Sequence, residues 1–222
     1  MTDWYLKSIE TEIHSAEASA AVIRARLKPL FGKQSRRMTL LGHMVGRVMQ
    51  NCELNCDTPI IYATTYSETL TIEKYLESFP TPSPTQFQTS IHPSAVEQIA
   101  IHQKQAIAQF FPLAGSPELI ALQAIRTALN LAKENVFIVF GEEQGTWLNE
   151  LGVASPYSFA ALLHLTTSPE GSLAKLTYEP EARTENSYAL SVYEIVSQCA
   201  QRQDCRFGHP DCGCVTLRWQ RP

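Results

Sequence analysis

The sequence predicts an α/β domain, with helices layered over a sheet, and three observations carry that reading. Val136 to Phe140 (VFIVF) is a continuous run of apolar, β-branched and aromatic residues. Such a strand is buried on both faces, as in a parallel sheet between helix layers. Met38, Leu41, Val45, Val48, Met49 and Cys52 recur three and four residues apart, which puts one apolar stripe on a helix. Helix and strand patterns alternate along much of the chain, the order of a layered α/β fold.

Element by element, residues 10–31 are rich in Ala and Glu and read as a weakly amphipathic helix that stops near Pro29 and Gly32. Ser35 is placed to cap the next helix, the one with the apolar stripe. Thr58 to Thr65 reads as a buried strand, and Ser67 to Phe79 as a helix. Residues 80–85 (PTPSPT) read as a loop that admits no helix. Ile91 to Gln103 is a predicted helix and Ile107 to Leu113 an extended apolar run. Pro117 to Asn130 is a helix with Pro in its first turn. Phe159 to Thr166 and Leu173 to Glu179 read as two strands joined by a Ser-Pro-Glu-Gly-Ser turn. Tyr188 to Arg202 is a helix, and Val215 to Trp219 a final strand after a Cys- and Gly-rich stretch.

With 222 residues, 44% apolar and 18% charged, the chain can bury a substantial core. A net charge of −4, with no basic run longer than Lys33 to Arg37, argues against nucleic acid; that run reads as the solvated start of a helix. Charges near the N-terminus interrupt any secretion signal, and no apolar run approaches the roughly 20 residues that span a bilayer. A cytoplasmic protein is expected, with its six cysteines as reduced thiols.

Leu113-Ala-Gly115-Ser116-Pro117-Glu-Leu-Ile-Ala-Leu122 lies between an extended run and a helix. It resembles the nucleophile elbow of the β-ketoacyl synthases, where a strand runs into Thr-Ala-Cys-Ser-Ser-Ser-Leu. Aligned on Ala114 and on the leucine and Ala-Leu that follow, Gly115 takes the place of the cysteine. Gly141-Glu142-Glu143, after the strongest strand, resembles the family's Gly-Gly-x-Glu. Arg37 to Val48 and Ile60 to Thr64 resemble its early helix and next strand. Pro84-Thr-Gln-Phe87 and Ser90-Ile-His92 resemble a short subgroup of N-terminal-domain proteins identified as chain length factors of aryl polyene and related type II polyketide or fatty acid synthesis. Two positions depart from it: Pro93 stands for the usual Asn, and Ala106-Ile107 for a Gly-Pro.

The resemblance implies a thiolase-like fold, half of the usual duplicated ketosynthase, layered α-β-α around a mixed, mostly parallel sheet. It implies one domain over 1–222: an N-terminal helical segment (1–35), a ketosynthase-like core (36–180) and a C-terminal helix with a Cys-rich extension (181–222). It implies a non-catalytic subunit that heterodimerises with a catalytic β-ketoacyl synthase and shapes its acyl or polyene tunnel, meeting the acyl carrier protein only indirectly, with no nucleic acid, membrane or cofactor. The strand before the elbow pairs across the dimer axis in such folds. The implied interface and tunnel residues are therefore Gln109, Phe110, Phe111, Pro112, Leu113 and Ser116, with Phe110 or Phe111 limiting chain length. His92 could position a loop.

A condensing enzyme needs a thiolate activated at a helix N-terminus, and Gly115 has no side chain to be acylated. Ser116, the nearest hydroxyl, has no base in local sequence and reads as the cap of the helix from Pro117. His164 reads as a packed core histidine. Glu142 and Glu143, adjacent in sequence, are expected to point apart. Cys205, His209, Cys212 and Cys214 offer zinc-type donors, but their spacing departs from C-x₂-C knuckles; packed thiols are the expected reading and no metal is assigned. The rival functions are a small α/β acyl-transfer or hydrolytic enzyme using Ser116 or a Cys/His pair, and a free-standing acyl-binding domain.

Overall fold

The computed structural model describes residues 3–52, 57–91, 94–180 and 189–220. The chain runs β1 (Trp4–Ile13), α1 (Ala20–Leu27), a 3₁₀ segment (Lys28–Arg37), α2 (Leu40–Val48), β2 (Ile60–Thr64), α3 (Thr69–Glu77), α4 (Pro84–Thr89), α5 (Ser94–Gln103), β3 (Phe110–Ala114) and α6 (Ile120–Asn130). It continues through β4 (Asn135–Glu142), α7 (Trp147–Glu150), β5 (Phe159–Thr166), β6 (Ala174–Glu179), α8 (Val192–Ala200), β7 (Cys205–His209) and β8 (Gly213–Trp219). One eight-stranded sheet holds all the described strands in the order β3-β2-β4-β5-β1-β6-β8-β7.

The apolar stripes divide the core between the two faces of the sheet. Val136, Ile138 and Phe140 of β4 point to one face, where α6 and α8 pack. Val139 and the half-buried Phe137 point to the other, under α2. The strand is covered on both sides, as its composition predicts. Every residue of the α2 stripe is buried, from Met38 to Cys52, and α1, the 3₁₀ segment and α5 pack around α2 as an outer layer.

Several expectations need correction. The first is the N-terminal segment, which is not all helical: Trp4–Ile13 is a strand in the interior of the sheet, between β5 and β6. A bulge at Lys7 shifts the register between Leu6 and Ser8, so Trp4 and Leu6 before it and Ile9 and Ile13 after it all pack on one core. The change of phase hides the two-residue period. The two strands joined by the Ser-Pro-Glu-Gly-Ser turn, β5 and β6, do not pair with each other, because β1 lies between them. The sheet is mixed but not mostly parallel, because only β2–β3 and β2–β4 run parallel and the other five pairings are antiparallel. The C-terminal region adds two strands to the same sheet.

Local signals were also displaced. Thr39, not Ser35, caps α2, its hydroxyl accepting from Gly42 N at 2.8 Å; Ser35 Oγ instead meets Nε2 of the buried His43 at 2.8 Å. Pro84 sits in the first turn of α4, where a missing N–H costs nothing, so the Pro-rich loop ends two residues earlier than expected. His92 and Cys56 lie outside the described residues.

Candidate functional site

The strand-to-helix corner is built on the outermost strand of the sheet. β3 pairs in parallel with β2, Phe110 opposite Ile60 through Ala114 opposite Thr64. Gln109 O accepts from Ile60 N at 2.9 Å and Gly115 N donates to Thr64 O at 3.3 Å. Odd-numbered residues thus turn their backbone groups toward β2. The alternate residues, Phe110, Pro112 and Ala114, turn theirs to the outer edge, where no described strand pairs with them. Pro112 lacks an N–H and suits an outer-edge position.

Gly115 lies at the corner between β3 and α6. The turn closes on the Ser116 carbonyl, which accepts from Leu119 N at 3.1 Å and Ile120 N at 3.0 Å. The expected cap is corrected here: α6 begins at Ile120, its N-cap residue is Leu119, and no side chain caps it. Ser116 and Pro117 form the preceding turn, with Ser116 exposed. A Cβ built on Gly115 would meet Gln123 Oε1 at 2.9 Å and Ile120 side-chain carbons from 3.5 Å. The Gln123 amide, one turn into α6, fills the space that a side chain at 115 would need.

The corner has no general base within the described histidines, because each is engaged elsewhere. His43 meets Ser35 and the Thr39 carbonyl, and His14 pairs with Glu12. His102 meets Gln34, and His209 faces Asp211. His164, tilted on Phe137 with ring centres 4.7 Å apart, meets Asn135 Oδ1 at 2.9 Å.

Phe110 and Phe111 occupy opposite faces, as alternation requires. Phe110 packs on the α2 side and Phe111, with Leu113, on the α6 side, each half-buried.

Behind β2 and β4 lies a set of buried carboxylates that local sequence did not reveal. Glu143, 0% exposed, accepts from Leu41 N at 2.8 Å and from Thr71 N at 3.2 Å, joining the N-termini of α2 and α3. Glu68 accepts from Ala95 N at the start of α5 at 2.9 Å. Glu73 accepts from Thr146 N at 2.7 Å and Leu148 N at 3.0 Å at the start of α7. Glu142 turns away from Glu143 and accepts from Thr65 N at 3.0 Å, so the adjacent pair points apart. Helix N-termini offer orphan N–H groups and a positive dipole end, and these carboxylates answer them. Burial pushes Glu142 and Glu143 above the usual carboxylate range, against the pull of those bonds. Glu143, Glu68 and Glu73 lock helix starts together, and Glu142 holds the loop after β2. The signal available was an acidic residue inside or next to an apolar run, which does not say what it faces.

The Cys/His set of the tail does not converge. Cys205 lies opposite Leu217, and Cys214 opposite Gly208. Alternation sends Cys205 into the core beside Cys199 and Cys214 to the other face, where its Sγ lies 3.1 Å from Arg206 Nε. Among the described residues no three His, Cys, Asp or Glu side chains are grouped to hold a metal ion, and none of the helices is long and apolar enough to cross a membrane.

These features define an α/β fold of the thiolase-like class, with an edge strand running into a buried helix. Among solved structures, a chain of the ketosynthase (ApeO) in complex with its chain length factor (ApeC) from Xenorhabdus doucetiae superposes with a TM-score of 0.65 at 17% identity, covering 97% of this chain and 99% of that one. A chain of the ishigamide ketosynthase/chain length factor gives 0.65 at 9% identity, covering 99% and 100%. A search of curated proteins finds no match. The family model for the beta-ketoacyl synthase N-terminal domain matches residues 7–210, and the chain belongs to that family.

Proposed function

We propose that this chain is a non-catalytic subunit of the chain length factor type, which pairs with a catalytic β-ketoacyl synthase and shapes the tunnel for its growing acyl or polyene chain. One observation carries the proposal: the strand-to-helix corner holds Gly115, backed by the Gln123 amide, where a condensing enzyme needs a thiol. Engagement of every described histidine elsewhere supports it, since Ser116 as a nucleophile would require a base. The outer edge of β3 supports the pairing, since an unpaired apolar edge is relieved by a partner strand. So does the near-complete mutual coverage with chains from two ketosynthase/chain length factor structures. Cytoplasmic synthesis of an aryl polyene or related product, with the carrier protein delivering to the partner, is the setting this role would have.

The test is co-expression with the ketosynthase encoded nearest to it. A stable 1:1 complex that condenses malonyl and acyl thioesters, beside an isolated chain that does not, is the expected result. Turnover by the isolated chain, or labelling of Ser116 by an activity probe, would favour a free-standing acyl-transfer or hydrolytic enzyme. A persistent monomer indifferent to the ketosynthase would favour a free-standing acyl-binding domain.

A further inference from the structure

Helix α8 ends and β7 begins within a few residues, and each carries a cysteine turned into the core. Cys199, in the last turn of α8, is 1% exposed, and Cys205, the first residue of β7, is 4% exposed. Both belong to the core on the α6 side of the sheet, and their thiols are hydrogen-bonded to each other. The link between them, Ala200 to Asp204, is exposed throughout. The proposed function makes no use of this pair.

The link is a fixed turn. Arg202 takes φ +54°, a left-handed conformation that a residue with a Cβ seldom adopts. Its N–H donates to the Cys199 carbonyl at 3.0 Å, and Gln203 N to the Gln198 carbonyl at 3.0 Å. From β8, Trp219 N donates to Asp204 Oδ1 at 2.7 Å and the Trp219 indole to the Gln203 carbonyl at 2.8 Å. The two sulfurs are thereby held together, and have only to close from hydrogen-bonding contact to about 2.05 Å to be joined. The S–H of Cys199 favours the thiolate of Cys205 and holds that thiol below its ordinary value, against burial and the neighbouring Asp204. The same bond, with burial, pushes the Cys199 thiol up. A thiolate beside a second, resolving thiol is the arrangement that peroxide oxidises to a disulfide.

We propose that Cys199 and Cys205 are a redox modification site, joined by hydrogen peroxide into a disulfide that fastens the end of α8 to the start of β7 and is undone by a dithiol. The Cys205 thiolate attacks one peroxide oxygen, the O–O bond breaks, and hydroxide leaves and is protonated to water by the proton that Cys205 gave up. The sulfenic acid left on Cys205 is attacked by the Cys199 sulfur; the S–O bond breaks, and the hydroxyl leaves with the Cys199 proton as a second water. Two electrons pass from the two thiols to one peroxide. Hydrogen peroxide is little larger than water, and it enters beside the exposed link. The proposal is independent of the pairing through β3.

The test uses the full chain, reduced and then titrated with hydrogen peroxide while folded. Remaining thiols are blocked with iodoacetamide under denaturation, and the chain is cut with trypsin for mass spectrometry. Cleavage after Arg183, Arg202 and Arg206 separates the two cysteines from each other and from Cys212 and Cys214. The expected product is peptide 184–202 joined to peptide 203–206, two hydrogens lighter than their sum and released by dithiothreitol. Oxidation raises the melting temperature by roughly 5 °C. The rise is absent in Cys199→Ala, whose Cys205 is instead captured as a sulfenic acid by dimedone. Cys212→Ala/Cys214→Ala forms the disulfide as the wild type does. The peptide assignment on the wild-type chain decides the matter whether or not the variants fold. Recovery of both cysteines as alkylated thiols across the titration overturns the proposal. So does a bond from either of them to Cys212 or Cys214, or a bond that forms only in urea.

Discussion

At the scale of single residues, the proposed function turns on Gly115. Replacing it by cysteine supplies sulfur but no base among the described histidines, and the new Cβ meets Gln123 Oε1 at 2.9 Å. Gly115→Cys in the complex is therefore expected to leave no acyl-enzyme on this chain by mass spectrometry. Acylation at residue 115 would mean that the corner retains a catalytic environment. Glu143 is the residue on which packing turns. In Glu143→Gln one oxygen must serve donors from two helices, and the amide NH₂ faces an N–H. The expected loss is about 1–3 kcal/mol in denaturant unfolding. A variant as stable as the parent would show that these contacts contribute little. Phe110 and Phe111 carry the tunnel reading: Phe110→Ala or Phe111→Ala is expected to lengthen the products of the complex, and unchanged lengths in both would discard a gating role.

At the scale of elements, the outer edge of β3 is the feature with consequences. Ala114 is exposed on that edge, and a lysine there blunts strand pairing. Ala114→Lys is expected to weaken association with the ketosynthase by at least about tenfold while leaving the melting temperature of the isolated chain unchanged. A complex of undiminished affinity would place the interface elsewhere. The elements also show where sequence was informative. β4 and the α2 stripe were legible because their apolar residues are adjacent or fall at one period. β1 was missed because the bulge at Lys7 moves the apolar set from even to odd positions, and because Glu12 is buried against His14 and Arg26, a pairing invisible in the local pattern. The start of α6 was anticipated too early, since the turn 117–119 is closed by the Ser116 carbonyl instead of a side-chain cap.

For the whole molecule, buried titratable groups set the pH response. Burial holds His14, His43 and His164 below the ordinary imidazole value of 6.5, with nearby cations adding to the effect at His43 and His164. Below that value the unfolded chain takes up protons that the folded chain refuses. Their stabilising contribution is complete above 6.5 and is lost as the pH falls through the depressed folded values. Glu142 and Glu143, raised by burial, act in the opposite sense: their contribution is complete below the ordinary carboxylate value and is lost as pH rises through the raised one. As pH falls from 7.5 to 5.5, His43→Gln, which takes up no proton, is expected to gain melting temperature relative to the parent at the same pH. A parallel pH response in both proteins would remove His43 from the account.

The sequence by itself determined the α/β class, the double-sided burial of β4, the apolar stripe of α2 and the glycine at position 115. Each depends on side-chain chemistry over a few neighbouring residues. Only the tertiary structure decided that the N-terminal residues enter the sheet between β5 and β6, that most pairings are antiparallel, that β3 and β7 are the edge strands of the described sheet, and that the cysteines of the tail diverge. Strand order and the meeting of distant groups are settled by which apolar faces and helix ends satisfy one another across the chain, and no window of neighbouring residues contains both partners.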